Sequence, residues 1–105
     1  KSEFTIMIVV NETISFAETI QDAALNWIKT GYMPLLKACP VVLSVEFFQV
    51  ETQQGADDTF ALQIRFNTQE AYSQYTSLFQ RDFDGALFAK FGNQFGIFKT
   101  ILTSL

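Results

Sequence analysis

Histidine is absent from all 105 residues of this sequence. It is the side chain that most often acts as a general base near neutral pH, and it is also the commonest metal ligand. Its absence excludes a serine–histidine–aspartate triad, a cysteine–histidine pair and a haem site with a histidine ligand. Any catalysis by this chain must therefore use other side chains.

Cysteine occurs once, as Cys39, which excludes a disulfide within the chain and a metal site built from several cysteines. Cys39 stands before Pro40, with no base and no helix N-terminus beside it to activate the thiol, so we expect inert packing rather than a nucleophile. A lone thiol fits a reducing compartment, and we expect a cytoplasmic protein. The sequence begins at Lys1 rather than at methionine, so a removed leader remains an open alternative.

Basic residues are few: seven Lys and Arg stand against 11 Asp and Glu, giving a net charge of -4 and a pI near 4.5. The basic residues are scattered singly and form no stripe for phosphates, which argues against nucleic acid as a partner. No run approaches the ~20 apolar residues of a membrane span, so we expect no membrane partner either.

Two acidic pairs, Asp57-Asp58 and Asp82-x-Asp84, are the nearest approach to a metal-binding pattern. The first lies in a predicted turn, and the second sits at i and i+2 of a predicted helix, where the side chains diverge. We interpret them as turn chemistry and a solvated helix face. The sequence thus predicts no metal and no cofactor.

Apolar residues, in contrast, are abundant, at 49% of the chain against 17% charged residues. A chain of 105 residues predicts one domain, residues 1–105, with a high surface-to-volume ratio. Six of the 12 phenylalanines fall between Phe79 and Phe98, so this part must supply much of the core. With so much apolar surface, some of it should lie in an interface.

Hydrophobic periodicity predicts the element order β-α-β-β-α-β. Strands are expected at residues 4–10, 41–51, 59–67 and 94–102. Ser15 and Glu18 have the spacing of a capping box for a first helix, which should kink or restart around residues 32–34. Asn67 or Thr68 should cap a second helix that ends at Phe91-Gly92.

The second and third strands are separated by a predicted loop at residues 53–58, which is too short for a crossover, so they should form a hairpin. Folding it about the loop sets Phe47 near Ile64, Val45 near Phe66 and Glu46 opposite Arg65. The result is a ferredoxin-like α+β fold, in which two helices cover one face of a four-stranded antiparallel sheet. Apolar residues on the other face, such as Met7, Val9 and Phe48, predict a homodimer packed sheet against sheet.

The chain contains Lys90-Phe-Gly92, Phe95, Phe98-Lys-Thr100 and Leu102, and a helix with Trp27 that runs into Met33-Pro34. In these residues the sequence resembles a small uncharacterised bacterial family, domain of unknown function 4286. The resemblance implies a dimeric α+β barrel without established activity. Relatives often carry histidine where this chain has Tyr32, so histidine chemistry in relatives does not transfer here.

Glu46 and Arg65 form the sharpest candidate site, with Gln63 and Phe48 beside them on the sheet face that a dimer would cover. They have two interpretations: an ion pair that fixes strand or dimer register, and a pair that lines a cavity for a polar planar ligand. Trp27 and Tyr32 likewise suit either the core or a pocket between the first helix and the sheet. No residue is assigned a catalytic role.

The leading hypothesis from the sequence is a non-catalytic homodimeric binding or interaction module. The alternative comes from fold analogy: a cofactor-independent oxygenase or isomerase acting on a small hydrophobic or aromatic substrate between sheet and helices. In that alternative, Trp27, Tyr32, Glu46 and Arg65 would be the residues to test, with Glu46 as the base if burial raised its pKa.

Overall fold

The computed structural model describes residues 6–105, except for the side chains of Ala56 and Asp57. Four strands form one antiparallel sheet, and the expected ferredoxin-like α+β fold is confirmed. The order across the sheet is β2-β3-β1-β4, so β1 is paired on both sides. The strands are β1 (Ile8–Phe16), β2 (Ser44–Thr52), β3 (Gly55–Phe66) and β4 (Phe95–Thr103).

Two helical segments cover one face of this sheet, which we call the inner face; the opposite face is the outer face. The first segment contains a 3₁₀ turn (Glu18–Ile20), α1 (Gln21–Trp27), a π-helical turn (Ile28–Tyr32) and α2 (Met33–Lys37). The second contains α3 (Gln69–Gln74), a π-helical turn (Tyr75–Phe79) and α4 (Gln80–Phe91).

The expected irregularity before Pro34 is present as the first π-helical turn. Proline has no backbone N–H, so the carbonyl of Thr30 cannot be paired in the α-helical pattern. Met33 instead donates its N–H to the carbonyl of Ile28, five residues back, and α2 begins at Met33. The restart therefore follows from the position of one proline.

The predicted ends of the second helical segment are also confirmed. Thr68 is the N-cap, and its Oγ1 accepts a hydrogen bond of 2.9 Å from the N–H of Ala71. Gly92 follows the last residue of α4 and has φ +57°, a left-handed conformation that glycine adopts freely. Local sequence signals were sufficient at both ends because each end depends on a single residue type.

The expected start of the first helix is wrong. Residues 11–13 were interpreted as a break, but β1 continues through them to Phe16, and Ala17 precedes the first helical turn without a side-chain cap from Ser15. Pairing to both β3 and β4 outweighs the polar residues, since Ile14 and Phe16 keep the alternation of Ile8 and Val10. Phe4, where the strand was expected to start, lies outside the described residues.

The predicted register of the hairpin differs from the structure by two residues. Glu46 lies opposite Gln63 and Phe47 opposite Leu62, because only Gln53 and Gln54 separate Thr52 from Gly55 and the ladder is irregular between Gln49 and Glu51. A shift of two positions keeps every side chain on its predicted face. Glu46 and Arg65 are therefore diagonal neighbours rather than direct partners.

The core lies between the inner face and the helical segments. It includes Ile8, Val10, Ile14 and Phe16 of β1 and the alternate residues Phe60, Leu62, Ile64 and Phe66 of β3, all of them buried. Cys39 is buried in the same core as a free thiol. Within residues 6–105, no helix has both the length and the apolar character needed to cross a membrane.

Candidate functional site

The side chain of Glu12 lies inside this core. In the part of the chain that the structure describes, it is the only charged residue that is buried, with 1% exposed. Glu12 shares the inner face with its neighbours in the alternation, Val10 and Ile14, and pairs across the sheet with Leu62 on β3 and Lys99 on β4. A carboxyl group in this position loses nearly all of its contact with water.

Burial raises the pKa of Glu12 from its ordinary value of 4.5 to about 7. The positive charge of Lys99 lowers this pKa, and the negative charge of Asp84 on α4 raises it. Lys99 Nζ lies 3.8 Å from Glu12 Oε2 but 2.7 Å from both carboxylate oxygens of Asp84. Asp84 thus binds the lysine that would otherwise serve Glu12, and it is more than the solvated residue expected from the sequence.

Two tyrosines complete what we call the inner cluster, which comprises Glu12, Tyr32, Tyr75, Asp84 and Lys99. Tyr32 and Tyr75 are 0% and 1% exposed. Neither hydroxyl has a hydrogen-bond partner among the described residues, and the same holds for Glu12 Oε1. Burial, followed by the charge of Glu12, raises the pKa of both phenols above the ordinary tyrosine value. Both are therefore neutral hydrogen-bond donors.

The helical segments place these tyrosines through their irregular turns. Tyr32 is the last residue of the first π-helical turn and Tyr75 the first residue of the second. Phe83 contacts both rings, edge-on to Tyr32 at 6.3 Å and stacked on Tyr75 at 5.9 Å between ring centroids. Short π-helical turns inside α-helices occur frequently at functional sites.

Four of the predicted binding residues lie on the outer face instead. Arg65 Nε donates a hydrogen bond of 2.6 Å to Glu46 Oε1, and Arg65 Nη2 donates one of 2.9 Å to Gln63 Oε1. The side chains of Arg65 and Glu46 are 31% and 47% exposed. Phe48 is 46% exposed. The expected ion pair is therefore present at the surface of this chain.

Trp27 and Tyr32, the other two predicted residues, lie on the helix side of the sheet and stack with centroids 5.7 Å apart. The sheet separates them from Glu46 and Arg65, so these four residues do not line one cavity within this chain. Ligand binding by the outer-face residues stays a prediction.

Sequence reasoning missed Glu12 because the polar residues 11–13 were taken as the end of a strand. A signal was present, since Ile8, Val10, Glu12, Ile14 and Phe16 continue one alternation of period two. A charge in the middle of such a row is unusual. Lys99 in the last strand, which supplies the opposite charge, was a second signal.

A pocket of about 190 Å³ lies between α1 and the end of α4, and no member of the inner cluster lines it. Phe91 forms part of its wall and contacts Trp27 edge-on at 5.3 Å, and Trp27 in turn stacks on Tyr32. A chain of ring contacts thus joins the pocket wall to Tyr32. Within residues 6–105, no three side chains of the metal-binding types come together. The full lining is Ile20, Ala23, Ala24, Lys90, Phe91 and Gln94.

The chain matches one family model and is similar in fold to several solved structures. The family model described as Domain of unknown function (DUF4286) matches residues 7–105. No curated protein matches significantly. Among solved structures, an ethyl tert-butyl ether d (ethd) family protein from Bacillus halodurans has a TM-score of 0.72 at 10% identity, covering 93% of this chain and 99% of that chain.

Two further structures share the fold. A dimeric ferredoxin-like protein from an uncultured marine organism has a TM-score of 0.70 at 5% identity, covering 97% of each chain. A monooxygenase of Streptomyces coelicolor, solved in complex with the ligand nanaomycin D, has a TM-score of 0.58 at 13% identity, covering 96% of this chain and 88% of that chain. Identities this low show a common fold and nothing about activity.

Proposed function

The chain belongs to the family described as Domain of unknown function (DUF4286), and we propose that it is a homodimeric enzyme that removes a proton from a small hydrophobic or aromatic substrate, with Glu12 as general base. The observation that carries this proposal is the buried, half-unpartnered carboxyl of Glu12 with a pKa of about 7. General bases work best when their pKa lies near the operating pH.

The surroundings of Glu12 suit this role. A carboxyl group that served only to hold the fold together would be expected to accept hydrogen bonds at both oxygens, yet Oε1 accepts none among the described residues. Lys99 limits how far burial raises the pKa, while Asp84 keeps Lys99 from pairing fully with Glu12. Glu12 can therefore ionise near neutral pH, and no close ion pair neutralises its charge.

The proton transfer and the isomerisation need only side chains of this chain and the substrate, and the oxygenase route also needs molecular oxygen. Ionised Glu12 accepts a proton from a C–H or O–H bond of the substrate, and the bonding electrons remain on the substrate as an anion. Return of the proton to a different atom completes an isomerisation. If the anion instead reduced molecular oxygen, the same proton transfer would be the first step of an oxygenase reaction. The monooxygenase with this fold supports the second route by analogy.

The outer face supports the homodimer in this proposal. Phe98 is 68%, Phe48 46% and Leu102 43% exposed, and all three lie on this face. A second copy of the chain, related by a twofold axis, would cover these side chains with an identical patch. One neighbour of this fold is a dimeric ferredoxin-like protein. The occupant that we propose for this face is therefore a second copy of this chain.

The leading hypothesis from the sequence was a non-catalytic module, and the position of Glu12 changes our preference to the enzymatic alternative. A binding module has no need of a buried titratable group, since an ionised carboxyl in the core destabilises the fold. The outer-face network of Glu46, Arg65 and Gln63 fits either function because its place in a dimer interface does not depend on catalysis.

Hydrogen–deuterium exchange tests the proposal without knowledge of the natural substrate. Acetophenone and related small aryl ketones would be incubated in D₂O with the protein, and loss of the α-hydrogen signals followed by NMR. We expect exchange to accelerate as the pH rises through about 7, where Glu12 ionises, and Glu12→Gln to lower the rate by roughly 10²-fold or more. Glu51→Gln, at an exposed carboxyl of β2, is the control. Exchange that is no faster than in buffer, or equally fast with Glu12→Gln, contradicts the proposal.

A further inference from the structure

The inner cluster contains two groups that the proposed function does not yet use, the hydroxyls of Tyr32 and Tyr75. We infer that they bind one oxygen atom of the substrate, so that the substrate class is a small planar carbonyl compound or phenol. This inference rests on the proposed function, because it assigns the substrate of the same site. It adds that the negative charge left by proton removal must settle on an oxygen.

Both hydroxyls are buried without a hydrogen-bond partner among the described residues. Their oxygens are fully enclosed, and none of the described residues accepts or donates a hydrogen bond there. Leaving a buried hydroxyl unpaired costs free energy that phenylalanine at the same place would avoid. Among charged groups, Glu12 has the largest effect on the pKa of both tyrosines. Two unpaired hydroxyls that share this neighbour indicate a binding site rather than a packing site.

The inner cluster contains two hydrogen-bond donors and one acceptor that differ in their protonation. Both phenols stay protonated at the pH at which Glu12 ionises, because their pKa values are raised above the ordinary tyrosine value. They are donors, while ionised Glu12 is an acceptor. A ligand that complements all three groups has an acidic hydrogen for Glu12 and, conjugated to it, an oxygen for the two phenols.

The proton and electrons then balance in one step. The C–H or O–H bond of the substrate breaks, and Glu12 takes the proton. The electron pair moves onto the carbonyl or phenolic oxygen, giving an enolate or phenolate. Tyr32 and Tyr75 donate hydrogen bonds to that oxyanion, which stabilises developing charge best where water is excluded.

The aromatic side chains around the two tyrosines favour a planar ligand. Phe83 contacts both tyrosines, Trp27 stacks on Tyr32, and Phe66 lies 4.9 Å from Tyr75 between ring centroids. Aromatic rings of this kind pack best against flat apolar groups. Lys99 and Asp84 are the partly exposed members of the inner cluster, at 27% and 29%, so the cluster meets solvent on their side.

Binding of para-nitrophenol, compared with nitrobenzene, tests the inference. The two probes have nearly the same size and aromatic ring, but only the first carries a hydroxyl oxygen. Affinities would be measured by calorimetry, with quenching of Trp27 as a second readout, since this is the single tryptophan and it stacks on Tyr32. We expect para-nitrophenol to bind at least tenfold more tightly than nitrobenzene to the unaltered protein.

Tyrosine-to-phenylalanine variants assign the effect to the two hydroxyls. Tyr32→Phe and Tyr75→Phe should each lower the affinity for para-nitrophenol about tenfold and leave that for nitrobenzene unchanged, because each removes one hydrogen bond. Tyr72→Phe is the matched control, since Tyr72 lies on α3 just before Tyr75 and, like Tyr75, packs against Phe66. Because the two replaced hydroxyls are unpaired, both variants should fold, as thermal unfolding would show.

The outcomes separate this inference from the proposed function. Equal binding of the two probes, absence of binding, or unchanged selectivity in both variants overturns the assignment of the tyrosines. Selective binding that depends on the tyrosines, without any Glu12-dependent exchange of aryl ketones, supports the oxygen site and contradicts the catalytic role of Glu12. Exchange that depends on Glu12 but is unaffected by Tyr32→Phe and Tyr75→Phe supports catalysis and overturns the oxygen site.

Discussion

Glu12 on β1 and Lys99 on β4 are direct partners across the sheet, yet their charged atoms are 3.8 Å apart while Lys99 contacts Asp84 at 2.7 Å. The lysine is therefore shared between a buried and a half-buried carboxylate, and it favours the second. This unequal sharing leaves the desolvation of Glu12 only partly offset. The resulting pKa of about 7 gives the cluster its sensitivity to pH.

Replacement of Glu12 by glutamine should remove a pH dependence of stability. The pKa of this group is raised on folding from 4.5 to about 7, so the folded state binds the extra proton between these values. Its contribution to stability is fully present below 4.5 and is lost as the pH rises through about 7. The loss is on the order of 3 kcal/mol.

Urea unfolding of both proteins across this pH range checks the prediction. The difference in unfolding free energy between Glu12→Gln and the unaltered protein should grow in favour of the variant as the pH rises. Glu51→Gln is the control, because Glu51 is exposed on β2. A difference that stays constant with pH, or that grows in the opposite direction, would show that Glu12 does not titrate in this range.

Replacement of Lys99 by methionine should raise the pKa of Glu12 further. The variant removes the positive charge that lowers this pKa and leaves the negative charge of Asp84, which raises it. The carboxyl titration of Glu12, followed by ¹³C NMR, should move above the value of about 7 found with Lys99 in place. Lys90→Met is the matched control, since Lys90 lies over the Trp27 ring and is not among the charges that act on Glu12. A downward shift would mean that Lys99 does not act on Glu12 as a charge.

Replacement of Phe98 by aspartate should prevent dimer formation. Phe98 is 68% exposed at the outer face of the single chain. In the dimer, an aspartate at this position would be buried at the interface and would face the same negative charge on the second copy. Sedimentation should show a dimer for the unaltered protein and a monomer for the variant. Leu78→Asp is a closely matched control, because Leu78 is 66% exposed in the helical layer on the other side of the molecule. The sheet-face dimer is contradicted if Leu78→Asp dissociates the protein and Phe98→Asp does not.

Replacement of Thr68 by alanine should destabilise the protein by about 1 kcal/mol. The Oγ1 atom of Thr68 satisfies the N–H of Ala71 in the first turn of α3, and alanine leaves this donor without its partner. Chemical denaturation measures the effect. Thr76→Ala provides the comparison, because the Thr76 hydroxyl bonds the Ser73 carbonyl within the helical segment and caps nothing. Equal effects of the two variants would argue against a capping role.

Local signals explain which parts of the fold could be predicted. Thr68, Gly92 and Pro34 each determine the backbone around them through a single chemical property, and the features expected there are present. The alternation of β3 determined which residues face the core. The start of the first helix was wrong because a local break at residues 11–13 competes with pairing to two neighbouring strands, which only the assembled sheet supplies.

The candidate site shows the same division more sharply. The sequence by itself determined the element order, the ferredoxin-like α+β fold and the family, because periodicity and caps act over a few residues. It also excluded histidine chemistry. Only the tertiary structure decided that Glu12, Tyr32, Tyr75, Asp84 and Lys99 come together on the inner side of the sheet, since they come from five separate elements. It also placed Glu46 and Arg65 on the opposite face. The pKa of a carboxyl depends on its burial and on charges distant in sequence, which no local pattern contains.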